Sequence, residues 1–145
     1  MAHVPKDAEW FLAALVEEIR VAGSRRNIVH INYVIIRARS PEAAYARAMN
    51  IGKRSAMSYE NLHGQKVTIR FRGLGNLDVI YDPLGDECEI MYREKLGVTE
   101  KGIRRMLRPK RQLEVFMPIR ERPGRPDFSS QEVMNEVAKR LKGQR

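Results

Sequence analysis

A row of basic side chains is the feature of this sequence best suited to binding an anionic ligand. Residues 66–72 alternate strictly between apolar and polar types, which is typical of a β-strand with one buried face. On such a strand Lys66, Arg70 and Arg72 point the same way, with Thr68 between them. A row of cations at this spacing could bind successive phosphates of a nucleic acid.

Two interpretations of this row stay open. In the first, Tyr59 or Tyr81 lies near the row and stacks on nucleic-acid bases. In the second, the cations only protect an exposed strand from aggregation. Aromatic residues make up 7% of the chain, and it lacks the paired aromatic motif of an RNA-binding sheet.

A second basic group lies in the last third of the chain. The net charge is +9, and residues 99–145 hold 13 Lys and Arg against 6 Asp and Glu. The candidate nucleic-acid-binding residues of this group are Arg104, Arg105, Arg108, Lys110 and Arg111. A nucleic acid or an acidic protein would bind such a segment through its summed field. A solvated basic extension is the alternative.

The remaining reactive side chains indicate no catalytic centre. His63 could act as a general base oriented by Glu60, but no recognisable nucleophile accompanies it. Three carboxylates flank Cys88 and disfavour its thiolate. The acidic cluster lacks the spacing and the central glycine of a calcium loop; it comprises Asp82, Asp86, Glu87 and Glu89. We therefore predict no catalytic residue, no metal site and no cofactor.

Composition limits the class of protein. With 145 residues and 43% hydrophobic residues, the chain suits one domain with a substantial core. Its apolar runs are too short to span a bilayer, and its beginning lacks a signal-peptide pattern. A single cysteine excludes an internal disulfide. A cytoplasmic protein without membrane association is the expectation.

The first half of the chain predicts two strands and a helix. Residues 10–21 favour a strand in their first half, and residues 28–38 are rich in β-branched side chains, so the two should pair antiparallel. Ser40 and Pro41 are typical of a helix start, and Gly52 of a helix end. The buried face of this helix, over residues 41–51, should comprise Ala44, Tyr45, Ala48 and Ile51.

The second half predicts shorter elements. Gly73 and Gly75 should break or bulge the strand that begins at Lys66. Residues 77–81 should form another short strand, and residues 87–93 should return as a strand, giving a hairpin around an Asp-Pro turn. Residues 99–107 predict a helix with inward-facing Ile103, Met106 and Leu107. Residues 112–117 predict a short strand.

The end of the chain predicts a Pro-rich linker, 118–127, followed by a final helix over residues 131–142. The resulting division is a core domain, residues 1–97, and a basic C-terminal extension, residues 98–145.

Residues 10–93 resemble a bacterial domain-of-unknown-function family, the one numbered forty-two eighty-eight. The matching segments are W-F-L-A-A-L, S-P-E-A-A-Y-A-R-A, S-Y-E-N-L-H-G-Q-K-V and D-E-C-E-I-M-Y. The third, at Tyr59 to Val67, is the most specific. The family usually has a glycine in its D-G-x-E segment, where this chain has Glu87. The resemblance implies an antiparallel sheet with a helix on one face, and no activity.

These observations together predict an α+β fold with a four- or five-stranded, mostly antiparallel sheet, one main helix on a face, and a basic helical C-terminal extension. We expect a non-enzymatic binding or assembly module that self-associates, forming a homodimer. A nucleic-acid-binding protein that uses the basic extension and the basic strand face is the alternative. An enzyme is the third alternative, and a deep pocket with convergent polar groups would favour it.

Overall fold

The computed structural model describes residues 4–119, 124–130, 133, 139–140 and 143. In chain order its elements are β1 (Trp10–Val21), β2 (Ile28–Arg37), α1 (Pro41–Ser55), β3 (Met57–Glu60), β4 (Lys66–Val79) and α2 (Glu100–Met106). Two 3₁₀ turns follow, at Lys110–Gln112 and Glu114–Phe116. The predicted final helix, residues 131–142, lies largely outside the described residues.

The chain forms two compact units. Unit 1 comprises Met1–Met91 and Arg125–Arg145 and contains the sheet and α1, whereas unit 2 comprises Tyr92–Gly124 and contains α2 and the 3₁₀ turns. The division into residues 1–97 and 98–145 stays a prediction.

The sheet of unit 1 has four antiparallel strands in the order β2-β1-β4-β3. This arrangement confirms the predicted α+β class and the antiparallel pairing of β1 with β2. All of residues 10–21 belong to β1, because the strand is central and pairs along its length with both neighbours. β4 is one continuous strand, and its pairing with β1 shifts register near Gly73 and Gly75 instead of ending there. A β-bulge absorbs these glycines without ending the strand.

Helix α1 covers one face of the sheet through small side chains. Ala44 and Ala48 are completely buried, and each belongs to a core cluster with residues of β1. The helix continues past its predicted end at Gly52, which is buried. A Cβ at Gly52 would lie 2.4 Å from the Phe71 ring, so close packing accounts for the glycine here. Tyr45 lies off this contact stripe and is 54% exposed, which corrects its predicted burial.

The helix starts were predicted correctly. The Ser40 hydroxyl accepts a hydrogen bond from the Ala43 N–H at 3.1 Å, with Pro41 at the first helical position. The Thr99 hydroxyl caps α2 by accepting from the Gly102 N–H at 3.1 Å.

The predicted strand at residues 87–93 is wrong, and so is its hairpin. The Asp82 carboxylate accepts the N–H of Glu89 at 3.0 Å, and the Gly85 carbonyl accepts the N–H of Cys88 at 3.3 Å. Both amides are therefore unavailable to a strand ladder. Glu87, immediately before these two residues, adopts a left-handed φ of 62°.

Two predictions within unit 2 are also wrong. Residues 112–117 form 3₁₀ turns because their N–H groups bond to carbonyls three residues earlier. The side chains of α2 that were expected to face inward are exposed: Ile103 by 44%, Met106 by 49% and Leu107 by 69%.

No helix in the described part of the chain is long and apolar enough to cross a bilayer.

A candidate interaction surface on the edge strand

Strand β2 carries an exposed row of large apolar side chains, which we call the β2 row. It faces away from α1 and comprises Val29, Ile31 and Tyr33, each 53% exposed, and Ile35, 44% exposed. The alternate residues of β2 face α1, and Ile36 among them is fully buried. The strand is thus apolar on both faces, although only the inner face is covered in the described structure.

β2 is also an edge of the sheet. It pairs with β1 on one side, and no strand of the described chain pairs with the other side. Its ten residues contain neither proline nor lysine, and its pairing with β1 has no register shift. Prolines, lysines and β-bulges are the features that usually prevent an edge strand from pairing with another chain. The outer edge of β2 therefore lacks these protective features.

The one permanently charged residue of β2 is held at the end of the strand. The Arg37 guanidinium forms an ion pair with Glu9 and lies 5.7 Å from the centre of the Trp10 ring. The middle of the β2 row thus presents no such charge to a partner.

A buried carboxylate lies beside the row on the central strand. Glu18 is 7% exposed and stands between Val29 of β2 and Arg70 of β4 in the strand register. Asn27 donates to its Oε2 at 2.7 Å, while the Arg72 guanidinium donates to its Oε1 at 2.9 Å. The Asn27 hydrogen bond, and then the charges of Arg20 and Arg72, lower the pKa of Glu18 below its ordinary value.

The predicted basic row is present on β4, but Glu18 neutralises part of it. Lys66, Arg70 and Arg72 are all exposed on the face of the sheet opposite α1. The ion pair with Glu18 engages Arg72, so its charge is not fully available to a phosphate. The role of these three β4 side chains in nucleic-acid binding stays a prediction.

The predicted basic residues of unit 2 are all exposed. The set comprises Arg104, Arg105, Arg108, Lys110 and Arg111. Arg104 forms an ion pair with Glu100 at 3.3 Å, one helical turn earlier, and Lys110 lies 5.2 Å from the centre of the Phe116 ring. Neither contact withdraws the cation from solvent.

Glu17, the neighbour of Glu18, faces α1 instead. Ser55 donates to its Oε1 at 2.6 Å and Asn32 donates to its Oε2 at 2.9 Å. The carboxylate therefore links the end of α1 to β1 and β2. Two consecutive glutamates in a strand whose only other charged residue is Arg20 were the sequence signal for these two buried sites.

The candidate general base, His63, has a different partner from the one that was predicted. His63 is exposed, and its Nε2 lies 3.5 Å from an oxygen of Asp127 instead of being oriented by Glu60. Among the described residues, no group of three or more His, Cys, Asp or Glu side chains could hold a metal ion.

Sequence reasoning did not single out the β2 row. The signal was present, because a strand with apolar residues on both faces needs two covers. In Ile28–Arg37 only His30, Asn32 and Arg37 interrupt the apolar residues.

Comparison with known proteins identifies the family and nothing beyond it. Neither a curated protein nor a solved structure matches the chain. A family model described as a domain of unknown function (DUF4288) matches residues 10–92, which include the whole sheet and α1. The chain therefore belongs to the DUF4288 family.

Proposed function

We propose that this protein is a non-enzymatic assembly module whose partner is a second copy of the same chain. The β2 edges of the two copies pair antiparallel. The observation that carries the proposal is a ten-residue edge strand with an exposed apolar row and none of the usual protection against pairing.

An antiparallel pair of identical strands has twofold symmetry, so the contact is closed and stops at a dimer. The pairing satisfies backbone N–H and C=O groups along both edges. It also brings the two β2 rows side by side on the same face of one continuous sheet, which removes apolar surface from water. No permanently charged side chain in the middle of either row opposes this approach.

Light scattering over a concentration series tests the proposal. The parent protein should run as a dimer, and Ile31→Lys should run as a monomer, because a lysine in the row costs burial and places like charges opposite each other. Met57→Lys is the matched control, since Met57 is 54% exposed on the opposite edge strand β3. This control should remain a dimer.

Circular dichroism should show the same fold in all three proteins. A parent protein that stays monomeric at the highest concentration contradicts the proposal. So does an Ile31→Lys protein that remains dimeric.

Nucleic-acid binding is the second candidate function. It is favoured by the five exposed cations between Arg104 and Arg111 in unit 2. Binding through phosphates weakens steeply as salt rises, because each contact releases condensed counterions.

A polarisation titration with labelled single-stranded DNA at 50 mM and 200 mM salt tests this function. A chain with Arg104→Glu, Arg105→Glu and Arg108→Glu should bind at least tenfold more weakly at the lower salt. A control with Lys53→Glu and Arg54→Glu, at the end of α1, should bind nearly as the parent does. If the parent does not bind at low salt, the cations of unit 2 serve solubility or an acidic protein instead.

A further inference from the structure

The turn between β3 and β4 is built around one buried amide. Asn61 is 1% exposed, and its Oδ1 accepts the backbone N–H groups of His63 and Gln65, both at 2.9 Å. Its Nδ2 donates to the side-chain oxygen of Gln65 at 2.9 Å. An asparagine amide has two N–H donors, so the turn by itself supplies an acceptor for only one of them. Such a donor is costly to leave unpaired.

The missing acceptor comes from a distant segment. Nδ2 of Asn61 donates its second hydrogen bond to the Asp127 carbonyl at 3.0 Å, and the Tyr59 hydroxyl donates to the next carbonyl, that of Phe128. Burial, and then the charge of Asp127, raise the pKa of Tyr59, so the hydroxyl keeps its proton at neutral pH. Two side chains of the hairpin thus bind two successive backbone carbonyls.

The side chain of Phe128 fills an apolar pocket beside the turn. Its ring packs on the core cluster of Ile19, Val21 and Val67. It meets the His30 ring edge-on, with the ring centres 5.2 Å apart. The pocket favours an aromatic residue at this position of the bound segment.

Asp127, the residue before Phe128, makes a different set of contacts. The Asp127 carboxylate accepts the N–H of Ser129 at 3.0 Å and the Ser129 hydroxyl at 2.5 Å, while its other oxygen faces Nε2 of His63. These hydrogen bonds, and then the charge of His63, lower the pKa of Asp127. The ionised carboxylate therefore fixes the local backbone and contacts the rim of the site.

We propose that Tyr59, Asn61, His63 and the Phe128 pocket form a binding site for an extended peptide with an Asp-aromatic pair, which this chain fills with its own residues 125–130. The receptor side chains lie within the family match, residues 10–92, and the bound segment lies outside it. Although His30 of β2 lines the site, it alternates with the β2 row and lies on the other face of the strand, so the site goes beyond the proposed assembly.

Competition between the chain's own segment and an added peptide tests the site. The probe is a fluorescein-labelled peptide, GRPDFSSQ, which reproduces residues 124–131. In the full-length chain, Phe128→Ala vacates the pocket, so the labelled peptide should bind it saturably. The parent should bind at least tenfold more weakly, because its own segment competes at a high effective concentration. A peptide with alanine in place of its phenylalanine should lose at least tenfold in affinity.

Hydrogen exchange, followed by mass spectrometry, tests the same site without vacating the pocket. Tyr59→Phe removes one hydrogen bond and should speed exchange of the amides in residues 125–130 about fivefold. Tyr45→Phe is the matched control, since Tyr45 is exposed on α1, and it should change nothing.

Three results overturn the proposal. The first is a folded Phe128→Ala protein that fails to bind the peptide, and the second is equal binding by that protein and the parent. The third is exchange in residues 125–130 that is as fast in the parent as in Tyr59→Phe.

Discussion

Replacing Asn61 by alanine should reveal how much one buried amide stabilises unit 1. The side chain makes four hydrogen bonds, of which three stay within the β3–β4 turn and one reaches Asp127. Alanine removes all four and leaves their partners without a protein group. Because Asn61 is 1% exposed, water does not satisfy all of these partners unless the turn opens.

The expected loss follows from the number of partners that water can satisfy. Gln65 and the Asp127 carbonyl are half-buried and can turn toward solvent, so two or three bonds should count fully. At about 1 kcal/mol for each net hydrogen bond, the loss is about 2–3 kcal/mol. For a domain of this size that corresponds to a fall in Tm of roughly 10 °C.

Asn61→Asp is the informative companion. A carboxylate keeps both acceptor contacts to the backbone N–H groups. It loses both donor contacts, to the Gln65 side-chain oxygen and to the Asp127 carbonyl, and places an oxygen against each of them. We expect a loss of about 2 kcal/mol or more, at least as large as for alanine, because a buried charge facing acceptor oxygens adds to the two lost hydrogen bonds. Urea denaturation at pH 7, followed by circular dichroism, measures all three proteins. An alanine variant within about 0.5 kcal/mol of the parent, or an aspartate variant clearly more stable than alanine, would refute the reasoning.

Three further predictions concern stability. Ala48→Leu should lower the free energy of unfolding by about 1–3 kcal/mol, because Ala48 has no exposed surface between α1 and the sheet; a parent-like thermal melt counts against this. The pKa of Glu18 is lowered in the folded state, so its ionised carboxylate stabilises the fold at a pH above the usual glutamate pKa. This contribution disappears as the pH falls through the lowered pKa. Glu18→Gln should therefore lose less stability than the parent in a titration from pH 6 to pH 3. Glu87→Gly should leave stability unchanged or raise it by up to about 1 kcal/mol, because glycine accepts the left-handed φ without strain, whereas Glu89→Gly should lower it. Urea denaturation that ranks the two glycine variants in the opposite order contradicts the last prediction.

The elements that could be predicted from sequence are those with strong local signals. β2 is dense in β-branched residues, and α1 begins with a Ser-Pro cap that the structure reproduces. By contrast, β3 has only four residues, MSYE, without a periodic pattern. It is held by pairing with β4, which no local signal reveals. Gly52 was misread because a glycine needed for packing looks the same in sequence as a glycine that ends a helix.

Within the candidate sites, too, local patterns could be predicted, whereas contacts between residues far apart in the sequence could not. The alternation in residues 66–72 correctly predicted which side chains share a face. It could not show that Glu18 pairs with Arg72, because the two residues are brought together only by the register of β1 and β4. The contact between Asn61 and Asp127 spans a still longer separation. The apolar outer face of β2 was visible in the sequence, since its pattern alone predicts two buried faces. The cytoplasmic location stays a prediction.

Because Tyr59 and Asn61 hold residues 127–128, the chain of unit 2 is a closed loop that leaves unit 1 after Met91 and returns at Arg125. The entropic cost of closing a flexible loop grows only with the logarithm of its length, so doubling the length costs about 0.6 kcal/mol. An insertion within β4 would instead interrupt its ladder with β1. An insertion between α2 and the first 3₁₀ turn of unit 2 should therefore change the stability of the sheet much less than an insertion of the same length within β4.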